Sequence, residues 1–534
     1  MVRYIVVVVI VALAPRFALA ATSAWWDNAY LYRQNIAVTT GANVPDRGYD
    51  GYTLRSVGLD TQTLIASGQM RADCGDLRVA YFSAGSWQEL PRHVIDCGTG
   101  QTDVRFASPV NIPGNAIDDD FYFYYGNPAA AAPIALTTTN VYLWFDDASI
   151  DRSASYIRGR VDNFHGNGWD NTLAFNPAGY YTYRNGDNFT SGYRLAVDER
   201  DVFIEAEFFH VDCFPINMTT GVLVRGIIQS GSGGSERSNH YYTSNRGEFP
   251  ASGCGNANGY GHDGAVMRRQ RNQIAVPPPV NPGDITPNVW RRQALAAYGV
   301  APTSLRFWDA DDSAAWSALG FPDTGNLLAS GSDDSTVNNR GFVAVMTSQD
   351  QARLRNVVVR RYVEPEPATV LGPQELQASP DLTVLKNVRS FSDPVNGEMD
   401  PFSIPGGIVE YEVRVENGGS GPVDNDSLVI TDVLSGTLAL VVDDLTPGGG
   451  PVSFTDGTGS SVSGLSFAYG GLADLADDVA FSTDGVNFNY VPSPDANGTD
   501  PAVSHIRITP SGTMQASGGG TATFFVIRFR MRVP

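Results

Sequence analysis

The chain has 534 residues and a formal net charge of −21, from 57 Asp and Glu against 36 Lys and Arg. Only 17% of the residues are charged, while 56 are Gly and 32 are Pro. This composition excludes long amphipathic helices and coiled coils, and it indicates an all-β protein of several domains. A chain this acidic repels phosphate backbones, which argues against nucleic acid as a partner.

The first twenty residues have the features of a signal peptide. Arg3 provides a positive charge, and residues 5–14 form an apolar run that is too short to span a bilayer. Residues 18–20 fit the small-residue cleavage rule, so cleavage is predicted between Ala20 and Ala21, with an uncleaved anchor as the alternative. No later segment is apolar for long enough to cross a membrane. The sequence therefore predicts a secreted or cell-surface protein whose mature chain has no membrane span.

Four cysteines follow the signal segment, an even number that predicts two disulfides in an exported chain. Three pairings are open. Pairing of nearest neighbours, Cys74 with Cys97 and Cys213 with Cys254, is favoured because it keeps each bridge inside one predicted domain. A metal site is disfavoured because the chain has no Cys-x-x-Cys spacing.

Residues 21–138 are predicted to form a first β-domain of short strands separated by turns. The apolar run Phe121–Tyr125 is expected to be a central strand. The domain resembles the bacterial family catalogued as domain of unknown function 2341, and the resemblance implies β-structure and export but no activity. It is carried by Trp25-Trp26, Tyr32-Arg33, Ile36, Leu64–Gly68, Met70–Asp73, Asp76–Val79 and Phe121–Ala130.

Residues 139–363 are predicted to form a second β-domain. In the run 201–208, apolar Val202, Ile204, Ala206 and Phe208 alternate with Asp201, Phe203, Glu205 and Glu207, which predicts a half-buried strand. The domain resembles concanavalin A-like jelly rolls of the laminin-G type. Members commonly bind glycans or protein surfaces, often with calcium, and a minority are glycosidases. The resemblance is carried by Phe145–Asp147, Asp201–Phe208, Arg306–Trp308 and the closing segment 341–362.

Residues 364–380 are polar and Pro-rich without a period, and they are predicted to be a linker. The last segment, 381–534, is again strand-like. This segment resembles the domain-of-unknown-function 11 repeats of bacterial surface proteins, and the resemblance is carried by residues 381–386, 405–406, 409–419 and 429–434. These repeats are Ig-like sandwiches that usually act as stalks or spacers. The expected architecture is therefore a series of β-sandwich domains, with a jelly roll in the middle and an Ig-like sandwich at the C-terminus.

A group of carboxylates, Glu199, Asp201, Glu205 and Glu207, lies close together in the second domain. Laminarinase-like glycosidases use a Glu-x-Asp-x-x-Glu strand. Here the third position is Ile204, and Glu205 comes one residue late, on the opposite face of the strand. The pattern favours a solvated acidic face, with a hydrolase that uses these carboxylates as the alternative.

Asp309, Asp311 and Asp312 come directly after a predicted strand that ends at Trp308. Calcium takes about six to eight oxygen ligands from clustered Asp side chains and loop carbonyls. These three residues are therefore the candidate calcium ligands, and an ordinary polar turn is the alternative.

The candidate ligand-contacting rings are Trp169, Tyr241 and Tyr242, which are expected in or near loops where sugars stack on aromatic faces. Core or edge packing is the alternative. Taken together, the sequence predicts a binding or adhesion protein whose jelly roll recognises a glycan or a surface protein, with the Ig-like domain as a spacer. A glycan-active hydrolase and a purely structural envelope or pilus-associated component are the alternatives, and calcium is the suggested cofactor.

Overall fold

The computed structural model describes residues 25–534 except 161–171, 185–189, 211–217, 231–235, 248–264, 271, 276–287, 312–314, 317, 335–337, 349–350 and 518–519. In this part of the chain, no helix is long and apolar enough to cross a membrane. The chain divides into two units, Met1–Glu375 and Leu376–Pro534. Both are built from β-strands packed as sandwiches, as the composition indicates.

The first unit begins with a small sandwich of two antiparallel sheets. Its strands are β1 (Tyr32–Thr39), β2 (Thr53–Leu59), β3 (Arg78–Ser83), β4 (Ser86–Leu90), β5 (Arg92–Ile95), β6 (Thr102–Ala107) and β7 (Ile117–Tyr125), with helix α1 (Thr61–Ala66) after β2. One sheet contains the order β1-β7-β3-β4, and the other has the order β2-β6-β5. Strand β7 lies between β1 and β3, which confirms the predicted central position of Phe121–Tyr125. The disulfide between Cys74 and Cys97 is formed, in agreement with the favoured pairing.

A larger sandwich of two sheets follows in the same unit. Its strands are β8 (Trp144–Asp146), β9 (Ile157–Arg160), β10 (Thr172–Asn176), β11 (Tyr180–Arg184), β12 (Thr190–Glu199), β13 (Val202–His210), β14 (Met218–Ser230), β15 (Glu236–Gly247), β16 (Ala265–Gln270), β17 (Asn272–Ala275), β18 (Trp290–Tyr298), β19 (Thr303–Asp311), β20 (Leu327–Asp333), β21 (Gly341–Ser348) and β22 (Gln351–Arg361). Short 3-10 helices lie at Ser153–Ser155 and Thr324–Asn326.

The two sheets of this larger sandwich enclose one hydrophobic core. The eight-stranded sheet has the order β10-β11-β22-β13-β18-β19-β20, with β8 also paired to β22. The seven-stranded sheet has the order β17-β16-β15-β14-β21-β12-β9. Ile204, Ala206 and Phe208 of β13 are buried in the core between the sheets, which confirms the alternation seen in the sequence. The outer face of the eight-stranded sheet is therefore the face that carries Glu205 and Glu207.

The predicted linker is wrong over much of its length. Ala368–Leu376 forms strand β23, which pairs with β1 and completes a five-stranded sheet of the small sandwich. Leu371 packs against the core of that sandwich, and Thr369 donates a hydrogen bond of 2.8 Å to the carbonyl of Arg55. The edge of β1 offers backbone groups that need partners, so a polar segment without internal period becomes an ordered strand there. The small sandwich is thus built from two separated parts of the chain.

The two sandwiches of the first unit meet around Phe321. Three guanidinium groups surround its ring: Arg360 lies 4.0 Å, Arg105 4.9 Å and Arg55 5.3 Å from the ring centre. Arg105 belongs to β6 of the small sandwich, and it also donates a hydrogen bond to the carbonyl of Leu319. Cation–π contacts of desolvated arginines are worth about 1–2 kcal/mol each, so this junction holds the two sandwiches together.

The second unit is a separate sandwich of a six-stranded and a three-stranded sheet. Its strands are β24 (Leu382–Ser392), β25 (Ile408–Asn417), β26 (Ile430–Val433), β27 (Ala439–Val441), β28 (Val452–Asp456), β29 (Val479–Ser482), β30 (Thr499–Asp500), β31 (His505–Ile508) and β32 (Thr523–Arg532), with a 3-10 helix at Gly459–Ser461. The larger sheet has the order β24-β25-β32-β27-β30, with β28 also on β32, and the smaller has the order β26-β31-β29. Val413, Val415, Phe525 and Ile527 lie in the core between them.

A pair of neighbouring substitutions tests the assignment of β23 to the small sandwich. Leu371 contacts the core, whereas Val370 is 65% exposed. We expect Leu371→Ala to lower the free energy of unfolding of the first unit by about 2 kcal/mol, and Val370→Ala to change it by less than about 0.5 kcal/mol. Denaturant unfolding of the full chain measures both. Equal, negligible effects of the two substitutions would mean that the segment is a linker.

Candidate binding face of the larger sandwich

Two of the three candidate calcium ligands, Asp309 and Asp311, do not lie in a loop. Strand β19 continues to Asp311, three residues beyond the predicted end, so Asp309 and Asp311 are strand residues. Both are bound to Arg291: its Nε lies 2.6 Å from Asp309, and its Nη1 lies 2.6 Å from Asp311. The guanidinium already neutralises these two carboxylates, so a cation at this place would have to displace it. Asp312 lies outside the described residues, within which no three His, Cys, Asp or Glu side chains form a group that could hold a metal.

The candidate stacking rings that the structure describes are core residues. Tyr241 and Tyr242 lie on β15 rather than in a loop, and both are buried. Tyr241 is part of the core between the sheets and donates a hydrogen bond of 2.7 Å to Asp333. Core packing, the alternative considered for these rings, is therefore the arrangement present. The remaining candidates, Trp169, Cys213, Cys254, Ala20 and Ala21, lie outside the described residues.

The acidic face of β13 is not solvated, contrary to the sequence interpretation. Phe203, Glu205 and Glu207 point away from the core, as predicted, yet all three are buried. They are buried because residues 316 and 318–322, which we call the covering segment, lie over this part of the sheet. Trp316 and Gly320 of that segment both contact Glu205. The sequence pattern gives the face of each side chain, but it does not reveal that a distant segment covers the face.

Glu205 is fully buried, and only one of its two carboxylate oxygens accepts hydrogen bonds from the described residues. Its Oε2 accepts bonds of 2.9 Å from Trp316 Nε1 and from the Gly320 amide. Its Oε1 accepts none from the described residues, and Arg292 Nε lies 3.5 Å away. Burial raises the pKa of Glu205 to about 7, and the repulsion of Glu207 adds to the rise, while Arg292 and the two hydrogen bonds oppose it.

Glu207 is neutralised by two arginines from the neighbouring strands. Arg355 Nε of β22 lies 2.6 Å from Oε2, and Arg292 Nε of β18 lies 3.0 Å from Oε1. Breaking such a buried pair leaves an uncompensated charge, so the three side chains act as a structural unit. A glycosidase needs two carboxylates that its substrate can reach. Glu205 and Glu207 are both buried, and this arrangement disfavours the hydrolase alternative.

Glu199 and Asp201, the other two carboxylates of the motif, face the small sandwich. Asp201 accepts hydrogen bonds of 2.6 Å from the amide of Asp46 and 2.8 Å from that of Gly299. Glu199 lies 3.4 Å from Arg361 and is nearly buried. These two carboxylates therefore stabilise the junction within the first unit rather than join Glu205 and Glu207 in one site.

The end of the sheet beyond the covering segment carries half-exposed rings and arginines. We call Tyr180, Phe209, Trp290, Arg353 and Arg355 the ring–arginine face. Their strands β11, β22, β13 and β18 are neighbours, and Phe209 pairs directly with Arg353 on one side and Trp290 on the other. Arg353 lies between two rings, 4.6 Å from the centre of Tyr180 and 4.8 Å from that of Phe209.

The two arginines of this face differ in charge compensation. Arg355 lies 4.0 Å over the Trp290 ring and is paired with Glu207. Arg353 has the two ring contacts but no carboxylate or hydrogen-bond partner among the residues that the structure describes. A guanidinium offers five donors in a fixed plane and binds carboxylate or sulfate in a bidentate manner. The face therefore combines aromatic surface for stacking with one uncompensated cation.

None of the five residues of this face was predicted from the sequence. A signal is present in the strand sequences, since Arg353 and Arg355 alternate with the core residues Ala352 and Leu354, and Phe209 continues the polar side of β13. Alternation alone assigns these residues to one face of each strand. The strand order, which brings the four strands side by side, is needed to assemble them.

Comparisons with known proteins give little further information. No model of a known protein family matches the chain, and no curated protein matches it. Among solved structures, it is similar to a Bacillus subtilis protein of unknown function with a galectin-like fold, at 9% sequence identity and a TM-score of 0.30. The match covers 41% of this chain and 96% of that chain. The all-β assignment rests on the strands and sheets themselves, and the three family resemblances of the sequence stay predictions.

The burial of Glu205 predicts that the stability of the fold depends on pH. Because its pKa is raised from 4.5 to about 7, the folded state keeps a proton that the unfolded state releases between these values. The folding contribution of this group is therefore present below pH 4.5 and is lost as the pH rises through 7, by up to about 3 kcal/mol. We expect Glu205→Gln to reduce the fall in melting temperature between pH 5 and pH 8. Thermal unfolding followed by tryptophan fluorescence measures it, with Glu412→Gln as the control. Identical profiles for Glu205→Gln and the wild type would contradict the assignment.

Proposed function

We propose that this is a secreted or cell-surface binding protein whose jelly roll recognises an acidic glycan through the ring–arginine face. The observation that carries the proposal is the guanidinium of Arg353, held between two aromatic rings without a carboxylate partner among the described residues. Sugars stack on aromatic faces, and a uronate, sialate or sulfate group matches the donors of a guanidinium. An anionic surface protein with exposed carboxylates is the competing ligand.

The charge of the rest of the molecule supports the choice of an anionic ligand group at this place. The chain as a whole carries −21, whereas Arg353 is a cation without a carboxylate partner among the described residues. Glu207, the carboxylate that contacts the neighbouring Arg355, is already shared between Arg292 and Arg355. The sign of the local charge at Arg353 is thus opposite to that of the chain, which directs an acidic ligand to this face.

Three parts of the proposal rest on the sequence alone. The signal segment with cleavage between Ala20 and Ala21 supports export. The Ig-like resemblance supports a spacer role for the second unit. Calcium, suggested by Asp309, Asp311 and Asp312, stays a prediction and is tested below by chelation.

The experiment is a binding screen of the purified mature chain on acidic and neutral glycans, with calcium and again with EDTA. The acidic set contains uronate, sialate and sulfated oligosaccharides, and the neutral set contains glucans and mannans. We expect binding to the acidic set. We expect Arg353→Gln and Trp290→Ala to weaken it at least tenfold, because each removes a charge-assisted hydrogen bond or a stacking surface. Loss of binding in EDTA would add calcium to the site.

A matched control lies on the other sheet of the same sandwich. Arg194 of β12 also lies over a ring, 5.4 Å from the centre of Phe342 on β21, on the outer face of the seven-stranded sheet. Arg194→Gln removes the same chemical group from the opposite side and should leave binding unchanged. Binding that is lost with Arg194→Gln but kept with Arg353→Gln would overturn the choice of face. Absence of binding to every glycan would leave a surface protein or a structural role.

A further inference from the structure

The first strand of the second unit is an uncovered edge. Strand β24 is the terminal strand of its six-stranded sheet, and its first eight residues, 382–389, are all exposed. An edge strand presents a row of unpaired backbone N–H and C=O groups, which is a template for another strand. The opposite end of the same sheet is β30, which has two residues and offers little to pair with.

The apolar residues of β24 extend the core face of its sheet beyond the smaller sheet. Val384 pairs with Val415 of β25, and Val415 pairs with Phe525 of β32. Val415 and Phe525 are buried, but Val384 is 58% exposed. Leu382 and Val388 lie on the same side of β24 and are exposed as well, and Leu385 is exposed on the other side. Both faces of this edge therefore carry uncovered apolar side chains, which mark an interaction site.

The charges along β24 form a pattern that complements itself. Asp381, immediately before the strand, has no ion-pair partner among the residues that the structure describes. Arg389, eight positions later, bonds Glu410, but its side chain is 69% exposed, and Glu410 also has Arg530. The lysine between them, Lys386, is neutralised by Asp432 at 2.6 Å and lies 4.7 Å over the ring of Tyr411. Lysines commonly protect edges from pairing, and here that protection is reduced.

We propose that β24 pairs antiparallel with β24 of a second copy of this chain, about a two-fold axis at Leu385. In this register Asp381 lies opposite the partner's Arg389, and the same pair forms again on the other side of the axis. Leu382 lies opposite the partner's Val388 on the core side, and Leu385 lies opposite its own copy on the outer side. Opposite charges and apolar pairs directly across antiparallel strands stabilise the pairing, and two-fold interfaces repeat each contact.

Neighbouring two-fold registers lack this complementarity. Centring the axis on Lys386 places two lysines opposite each other, which is destabilising. Centring it on Val384 places Asp381 opposite the partner's Asn387 and leaves Arg389 outside the paired segment. The register at Leu385 is thus the one of these three that places Asp381 and Arg389 opposite each other. In it Val384 lies opposite the partner's Lys386, whose charge is already paired with Asp432. A dimer would carry two ring–arginine faces, and binding to a multivalent surface would gain from both.

Charge exchange tests the pairing in the full-length mature chain. Sedimentation equilibrium gives the dimer dissociation constant of the wild type, of Asp381→Arg, of Arg389→Asp and of the double variant. Each single change places like charges opposite each other twice, so we expect dissociation constants raised at least tenfold. The double variant restores opposite charges and should return to within about threefold of the wild type. Arg414→Asp, on the same face of β25 but away from the edge, is the matched control and should have no effect.

Disulfide trapping fixes the register independently of affinity. Leu385 is the residue opposite its own copy, so Leu385→Cys should form a covalent dimer under mild oxidation. Thr383→Cys and Asn387→Cys should each form no covalent dimer alone but crosslink when mixed, since Thr383 lies opposite the partner's Asn387. A wild-type chain that is monomeric at 100 µM, single charge variants that dimerise normally, or crosslinking of Thr383→Cys alone would each overturn the proposal.

Discussion

Two carboxylates buried on the outer face of the eight-stranded sheet set the constraint on which the middle of the molecule depends. A carboxylate that leaves water must gain cations and hydrogen-bond donors in its place. Glu207 gains Arg292 and Arg355 from the strands on either side of it. Glu205 gains Trp316 and Gly320 from the covering segment. The covering segment and the strand order are thereby tied to each other, and the two carboxylates stabilise the fold.

The covering segment also connects the larger sandwich to the small sandwich. Phe321 follows Gly320 directly and lies beneath Arg360 and Arg105. Arg360 is paired in turn with Glu366, whose other contact is the hydroxyl of Tyr52 at 3.1 Å. The pairing of Arg360 with Glu366 fixes the chain where it leaves the larger sandwich and returns to the small sandwich as β23. Completion of the five-stranded sheet of the small sandwich therefore depends on the ion pair between Arg360 and Glu366. The small and the larger sandwich accordingly belong to one unit.

The same constraint bears on the composition of the ring–arginine face at the other end of the sheet. Beyond the covering segment, arginines and aromatic rings lie on the outer face of β22, β13 and β18. Arg353 thus lies half-exposed between the rings of Tyr180 and Phe209, with no carboxylate partner in the described part of the chain. Stacked guanidinium groups keep their donors available at the edge of the plane, so a ligand can use them without displacing the rings.

The sequence by itself determined the fold class and the face of each strand residue, because alternation is a local property of a strand. It predicted the core side of β13, the central position of Phe121–Tyr125 and the Cys74–Cys97 bridge correctly. Only the tertiary structure decided which outward faces are buried, since burial of Glu205 depends on Trp316 and Gly320, which are distant in sequence. It likewise decided that a polar, Pro-rich segment is the strand β23 and that Asp309 and Asp311 neutralise Arg291. The strand order decides which groups become partners of charged side chains and of sheet edges. The periodicity of a single strand does not contain that order, because it reports only which face each residue lies on.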